Sequence, residues 1–452
     1  MSKLQAGASK ACISPKASWF PMDHNSGQKI TGILQDTYTR AIVLDNGETR
    51  FLFLNLDCGP SADVQMKEEI RDKFHIPVEN MMICWTHNHS AGMKWKREPK
   101  TDREREYTEI VYNAIFTAIG EAVASLRPAR WGFAEGKSYI NVNRDKLGED
   151  GHWIQTANFE APSDKTLATL KFVDGDGALI AAVLNYSCHA TAGYLGIDYD
   201  GGIKVTGGFP GYTSAYLEKR YPGSVVLWNS GAAGDQNPIF GPGWPLMYND
   251  DGTAEMIEPP DGARYMMQKY LGETHAIDAI HAMNSIPDSA LKDTMGIHST
   301  TSYVTMPGHH PPEGLNHMMA YMSVYPSYRR EHPEIMVNGR SLAELDRIEM
   351  VDEGTSRMQM QINILGDTLW IGASGELYAD IGFKLKDASP FKKTVIVTHT
   401  EGDAMHNGGY ILSDNSADHD TFQFFHSETR PGGNDRRIVD AMLSMCDTLL
   451  NP

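Results

Sequence analysis

The sequence predicts an α/β fold: a mixed β-sheet core with flanking helices. Two observations carry this. Strand-like apolar runs alternate with helical segments along the whole chain, and several of the strands are joined by tight hairpins, which a purely parallel sheet would not contain. "RAIVLDNGETRFLFLNLD" reads as two strands turning at Asn46-Gly47, a dipeptide suited to a two-residue hairpin. "ENMMICWTH" is a buried strand whose end delivers His87. "EYTEIVYNAIFTAIGEAVASL" repeats its apolar residues at helical spacing. "TLATLKFVDGDGALIAAVLNYSCH" is a second hairpin, turning at Asp176-Gly177 and ending at His189. "SVVLWNSGAAGDQNP" is a buried strand running into a glycine-rich turn. "QMQINILGDTLWIGASGE" is a third hairpin, ending at Glu376, and "KKTVIVTHTEGDAMHNGGY" is a strand followed by a polar loop to Tyr410.

No internal repeat and no low-complexity tract is visible. A single domain over 1–452 is expected, with long loop insertions at about 237–263 and 306–316. Loops of such length in a compact enzyme usually cover or bind something. The segment "GGIKVTGG" lacks the ending of a phosphate-binding loop and is expected to be a mobile loop leading into "GYTSAYLEKRY". "DGDG" at 174–177 lacks the twelve-residue calcium pattern and reads as a hairpin turn.

Composition narrows the partners. The 452 residues carry a formal net charge of −18, with a pI near 5.4. So acidic a surface repels phosphate backbones and anionic bilayers, leaving a small-molecule substrate, with a homo-oligomer as a further option. No apolar run reaches the roughly 20 residues that span a bilayer, and "MSKLQAGASKACISPKASW" has no signal-peptide core. Five scattered cysteines, without any C-x-x-C, signal neither a zinc ribbon nor a disulfide framework. A reducing cytoplasm is the simplest expectation.

Chemically useful residues collect at strand ends, where a rigid sheet holds them on loops. "CWTHNHSAG" supplies His87 and His89, and "NYSCHA" supplies His189. "AAGDQNP" supplies Asp235, Gln236 and Asn237, "GASGE" supplies Glu376, and "NGGY" supplies Tyr410. Imidazole and carboxylate are zinc ligands, and catalytic zinc keeps one position open. Two histidines at i, i+2 on an extended segment point the same way. One would ligate while the other faces substrate, although an H-x-H pair alone fits ordinary hydrogen-bonded histidines equally well. The H-x-H-x-D-H pattern of metallo-β-lactamases is absent, because "SAGMKW" follows His89. Barrel amidohydrolases place H-x-H on their first strand, whereas several strands precede it here. "GASGE" is not a G-x-S-x-G elbow, so a serine hydrolase is unsupported.

Taken in order, "AGASKACISP", "YTRAIVLDNG", "THNHSAG", "NVNRDK", "NYSCHA", "AAGDQNP", "ASGELY" and "NGGYILSD" resemble the catalytic domain of the neutral/alkaline non-lysosomal ceramidases, zinc-dependent amidases. The resemblance covers roughly residues 5 to 425. It implies a ceramidase-like zinc hydrolase domain in which His87, His189, Glu376 and Tyr410 bind one Zn2+. It also implies that His89 and Arg144 face the reacting group. Three departures stand out. Asn237 occupies the place of a serine credited with a catalytic role in that family, and Ser374 replaces the proline before Gly375. The immunoglobulin-like C-terminal domain of the family is not expected within 452 residues. The loops holding Trp244, Met247 and His309 mix apolar and acidic residues, unlike a lipid-binding rim.

The expected function is therefore a zinc-dependent hydrolase that uses metal-activated water on an amide or ester, with a substrate other than ceramide. His89 would be the general acid/base. Arg144 and Asn237 would orient substrate and stabilise the oxyanion, and Asp235 would fix the turn or a neighbouring histidine. A lactonase or a glycoside or sugar-ester hydrolase would use the same site. A non-catalytic small-molecule binding protein is the reading from another class.

Overall fold

The computed structural model describes residues 3–24, 26–58, 64–93, 98–148, 151–240, 246–248, 254–256, 259–401 and 409–451. Its main elements fall into three groups in chain order. The first holds β1 (Gln5–Cys12), β2 (Tyr38–Asp45), β3 (Arg50–Leu56), α1 (Val64–Phe74), β4 (Met81–Trp85) and α2 (Asp102–Ala124). The second holds β5 (Arg130–Lys137), β6 (Thr166–Val173), β7 (Leu179–Tyr186), α3 (Gly208–Arg220), β8 (Val225–Ser230) and α4 (Ala263–Asn284). The third holds β9 (Ile297–Pro307), β10 (Thr355–Leu365), β11 (Thr368–Ala373), α5 (Ala379–Ala388), β12 (Thr394–Val397) and α6 (Asn434–Leu450).

The three groups share one topology. In each, the first strand pairs antiparallel with the second, and the second with the third. A helix then crosses over to a fourth strand that lies parallel to the third, at the sheet edge. A second helix follows and packs back towards the first strand of its own group. This corrects the expectation of no internal repeat. The three hairpins expected from sequence are the second and third strands of the three copies.

Each sheet is buried on both faces, which is why its strands read as near-continuous apolar runs. Ile42, Leu44, Phe51 and Phe53 of the first sheet meet Leu170, Phe172, Ala181 and Val183 of the second and Leu365, Trp370, Val395 and Val397 of the third in one central core. The alternate residues face outward. Val43 and Leu54 pack under α1 and α2. Leu184 and Trp228 pack under α3 and α4. Leu369 and Ile371 pack under α5 and α6. Helix α2 starts at a capping box between Thr101 and Glu104, and that is what sets its first turn.

Because the first, third and fourth strands of each copy point the same way, their ends gather at one end of the molecule. The three first-to-second connections, 13–37, 138–165 and 308–354, begin there too. The copies are laced together by side-chain hydrogen bonds. Asn55 donates to the Trp228 carbonyl at 2.6 Å, and Asn185 to the Ile396 carbonyl at 2.8 Å. Gln361 donates to the Met81 carbonyl at 3.1 Å. Each of these side chains sits in one sheet and reaches the fourth strand of the next.

The loop expectations change in detail. Strand β9 runs to Pro307, so the excursion there is 308–354 and contains the short helices His317–Met322 and Pro326–Glu331. Of 237–263, the segment Gln236–Pro238 pairs with 141–143; residues 241–245, 249–253 and 257–258, Trp244 among them, lie outside the described residues, and the side chain of Met247 is not described either. The expected mobile loop at "GGIKVTGG" contains a short strand, Ile203–Val205, paired parallel with 30–33. No helix of the described residues is long and apolar enough to cross a membrane.

Candidate metal centre

Strand β4 ends at Trp85, and the next residues turn instead of staying extended. His87 adopts a left-handed φ of 52°, an unusual backbone for a residue with a side chain. The two histidines of the H-x-H pair nevertheless stand side by side, rings 4.7 Å apart and perpendicular. His89 is exposed and edges onto Tyr194 at 5.3 Å. His189 follows β7 and is buried, 1% exposed. Its Nδ1–H donates to the Ala233 carbonyl at 2.6 Å, and its Nε2 meets Glu376 Oε2 at 2.9 Å. Burial holds its pKa well below the usual imidazole range, so the ring is neutral.

Glu376 belongs to a two-residue strand, Glu376–Leu377, whose parallel partner is Tyr410–Ile411, with Glu376 directly opposite Tyr410. This pairing is what brings two residues so distant in sequence into one site. The Tyr410 hydroxyl lies 3.4 Å from His189 Nε2. Burial, followed by the Glu376 charge, raises its pKa and keeps it a phenol. His87 Nε2 is 3.9 Å from Glu376 Oε2.

A residue that sequence reasoning did not single out completes the cluster. His399, two residues past β12, is 3% exposed, adopts a φ of 57°, and stacks flat on His87 with ring centroids 4.1 Å apart. Burial lowers its pKa to about 4, partly offset by Glu376. Its signal was present: "VTH" ends an apolar strand just as "WTH" does at His87. One ligand atom from each of His87, His189, Glu376 and His399 lies within 4.8 Å of all the others. A tetrahedral zinc with ligands near 2.1 Å needs donors about 3.4 Å apart, so the residues fit such an ion after a small contraction.

The remaining expected residues form a buried layer behind. Arg144 is 2% exposed. Its Nε and one terminal nitrogen donate to the Gly234 carbonyl at 3.1 and 2.5 Å, and the other to Asn237 Oδ1 at 3.2 Å. Its guanidinium lies 5.4 Å from the centre of the Tyr410 ring. Most of its donors thus hold the protein, and its route to the site is through Tyr410. Asn237 Oδ1 also accepts from Thr191 at 3.3 Å. Asp235 accepts from the Ala379 amide at the start of α5 and from the Asn143 amide, both at 2.8 Å. It ties the turn to that helix and holds no histidine; burial and the nearby Asp145 raise its pKa to about 6. Gln236 is buried and receives the Ser163 hydroxyl at 2.5 Å.

An aromatic path leads away from the centre: Tyr410 packs on Phe422 and Phe422 on Tyr321. It reaches a cavity of about 400 Å³ lined by Trp153, Tyr321, Tyr325 and Phe425, with Arg329 and Arg347 among them.

Fold and site together define an α/β protein with a histidine–carboxylate centre, suited to one metal ion, at the carboxyl ends of its strands. Residues 23–225 match the family model for neutral/alkaline non-lysosomal ceramidase, N-terminal. Neutral ceramidase of Drosophila pseudoobscura pseudoobscura is 26% identical over 236 residues, 47% of this chain and 32% of that protein. The chain thus matches about a third of the length of that relative. The crystal structure of neutral ceramidase from Pseudomonas aeruginosa superposes with a TM-score of 0.69 at 16% identity, covering 99% of this chain and 75% of that one. A ceramidase complexed with C2 superposes equally well, covering 76% of its chain. The chain thus has the fold of these ceramidases, and its residues 23–225 are similar to the N-terminal part of the neutral/alkaline non-lysosomal ceramidase family.

Proposed function

We propose that this protein is a zinc-dependent hydrolase that cleaves an amide or ester bond in a small molecule other than ceramide. The observation that supports it best is the convergence of three neutral-capable imidazoles and one carboxylate on a single point beside an exposed histidine. A zinc ion supplies, when bound, a Lewis acid that polarises a carbonyl and makes hydroxide available near neutral pH. His87, His189 and Glu376 would hold it, with His189 oriented by its bond to the Ala233 carbonyl.

The other residues then divide the work. His89, open to solvent next to His87, exchanges a proton with the leaving atom. The Tyr410 hydroxyl, 3.4 Å from His189 Nε2 on a ring held beside the Arg144 guanidinium, donates to the oxygen that gains charge. Asn237 and the Gly234 carbonyl keep Arg144 in place. With an amide at 237, no nucleophilic hydroxyl stands where the family has its serine, which favours direct attack by water. The cavity beyond Phe422, aromatic but with two arginines, suits a compact substrate carrying an acidic group better than a long lipid chain.

The test is metal analysis joined to a hydrolysis panel of amides, esters, lactones, glycosides and ceramide. The expected result is about one zinc per chain and turnover of a small amide or ester. His89→Ala should lower kcat by about 10²–10⁴-fold while zinc content stays at the wild-type level. A folded protein that takes up no metal would overturn the zinc reading, and ceramide as the preferred substrate would overturn the substrate reading.

A further inference from the structure

Helix α4 carries a stripe that the metal centre does not use. Its inner side packs Leu271, Ala276, Ala279 and Met283 into the core, yet its outer side is not polar throughout. Met266, Tyr270 and Ile277 are 64, 62 and 43% exposed. Their spacing of i, i+4 and i+11 places them along one line of the helix, the seam spacing of paired helices. Tyr199, also exposed, extends the line at its start. Its ring lies over Gly262, where a Cβ would come within 2.4 Å of it, and its hydroxyl is 3.7 Å from Met266 Sδ. Scattered apolar side chains are ordinary on a protein surface, whereas an aligned row of them marks a contact surface.

The charges beside the row point to what covers it. Lys269 and Glu273 stand on one flank, 3.9 Å apart and both open to solvent. Their order, lysine four residues before glutamate, is the one that supports a lone helix less. Set end for end against the same helix of a second molecule, that order becomes complementary. We infer that α4 is an interface between two molecules of this chain, packed antiparallel about a two-fold axis that passes between Leu271 and Gly272. In that register Met266 meets Ile277 of the second molecule, Tyr270 meets its own counterpart beside the axis, and Lys269 faces Glu273 on both sides. One patch thus supplies both halves of a self-complementary contact, as two-fold symmetry requires. The chain's net charge of −18 opposes association at an acidic face, while this row carries one lysine against one glutamate. A single pair of helices covers less surface than a permanent dimer does, so the association is weak and depends on concentration. It stands independently of the zinc reading.

Sedimentation velocity of the wild-type protein, from low to several hundred micromolar, should show a monomer–dimer equilibrium. Ile277→Glu, in a variant that melts like wild type, should weaken it about tenfold or more. Lys269→Glu and Glu273→Lys should each weaken it, and an equimolar mixture of the two should dimerise more tightly than either alone. Disulfide trapping reads the register in a Cys12→Ser background, which removes the exposed cysteine. Tyr270→Cys should cross-link two chains on oxidation, and Met266→Cys should not. If Ile277→Glu does not fold, the trap decides alone. A wild-type protein that stays monomeric throughout, a dimer that Ile277→Glu leaves undiminished, or trapping at Met266 in place of Tyr270 would overturn the assignment.

Discussion

At the scale of single residues, burial decides which histidines are chemically available. His275, on α4, shows the rule away from the metal centre. It is fully buried, accepts the Trp228 indole N–H on Nε2 at 3.1 Å, and pairs Nδ1 with the Ser138 hydroxyl at 2.8 Å. An indole nitrogen only donates, so the ring is neutral and carries its proton on Nδ1. Burial lowers its pKa to about 3, below the roughly 6.5 of an unfolded chain. The unfolded state thus binds the proton first. Stability is fully present above pH 6.5 and is lost as pH falls towards 3. At pH 5 the loss from this one residue is about 2 kcal/mol relative to pH 7. Urea unfolding at the two pH values should therefore show a drop about 2 kcal/mol larger for wild type than for His275→Gln; parallel losses in the two proteins would refute it. The depressed pKa values of His189 and His399 act in the same direction and cancel in that comparison. His189 was legible because "NYSCH" ends a hairpin strand at a histidine. His399 was passed over in favour of Tyr410 on the same segment, although "VTH" ends its strand as "WTH" does at His87.

At the scale of elements, the site is held by close backbone contact as much as by side chains. The 231–235 turn after β8 lies against the Glu376–Leu377 strand, with the Gly234 amide donating to the Leu377 carbonyl at 2.8 Å. A Cβ at Gly234 would come within 2.6 Å of the Glu376 carbonyl oxygen and 2.8 Å of the Tyr378 ring. The glycine is required by this approach, not by its φ. Gly234→Ala should push Glu376 and the Arg144-binding carbonyl out of position. The expected outcome is a zinc affinity about 10–100-fold weaker, with a stability loss of about 1–3 kcal/mol. Gly177→Ala is the control: its φ of +84° strains an alanine, but nothing lies within 4 Å. That variant should lose about 1 kcal/mol and bind zinc like wild type, so equal zinc affinity in the two variants would exclude the contact as the cause. Most strands and all three hairpins were readable, because sheets buried on both faces leave long apolar runs interrupted by Asn-Gly, Asp-Gly and Gly-Asp turns. The partnership of Glu376 with Tyr410 was carried by family resemblance alone; two-residue strands leave no periodic trace.

At the scale of the whole molecule, the candidate centre joins the three copies. His87 comes from the first, His189 from the second, and Glu376 and His399 from the third. The repeat itself was hidden in the sequence because excursions of unequal length, 13–37, 138–165 and 308–354, separate equivalent strands and destroy any fixed period. What survives is local, such as "FLNLDC" in β3 and "VLNYSC" in β7, whose asparagines reach across to the next copy. No copy holds a full donor set, so metal binding should stabilise the contacts between copies more than any one sheet. At free zinc 1,000-fold above Kd the gain is about 4 kcal/mol, and for a chain of this length that corresponds to a rise in Tm of about 4 °C. Removing zinc with a chelator should reverse that rise. Hydrogen exchange gives the sharper test. Zinc should slow exchange together in three separate segments, 86–90, 187–192 and 374–378, each at the end of a different sheet. Slowing confined to one of them would mean that the ion is held within a single copy and that the three sheets are joined only by their common core and the asparagine and glutamine bridges between them.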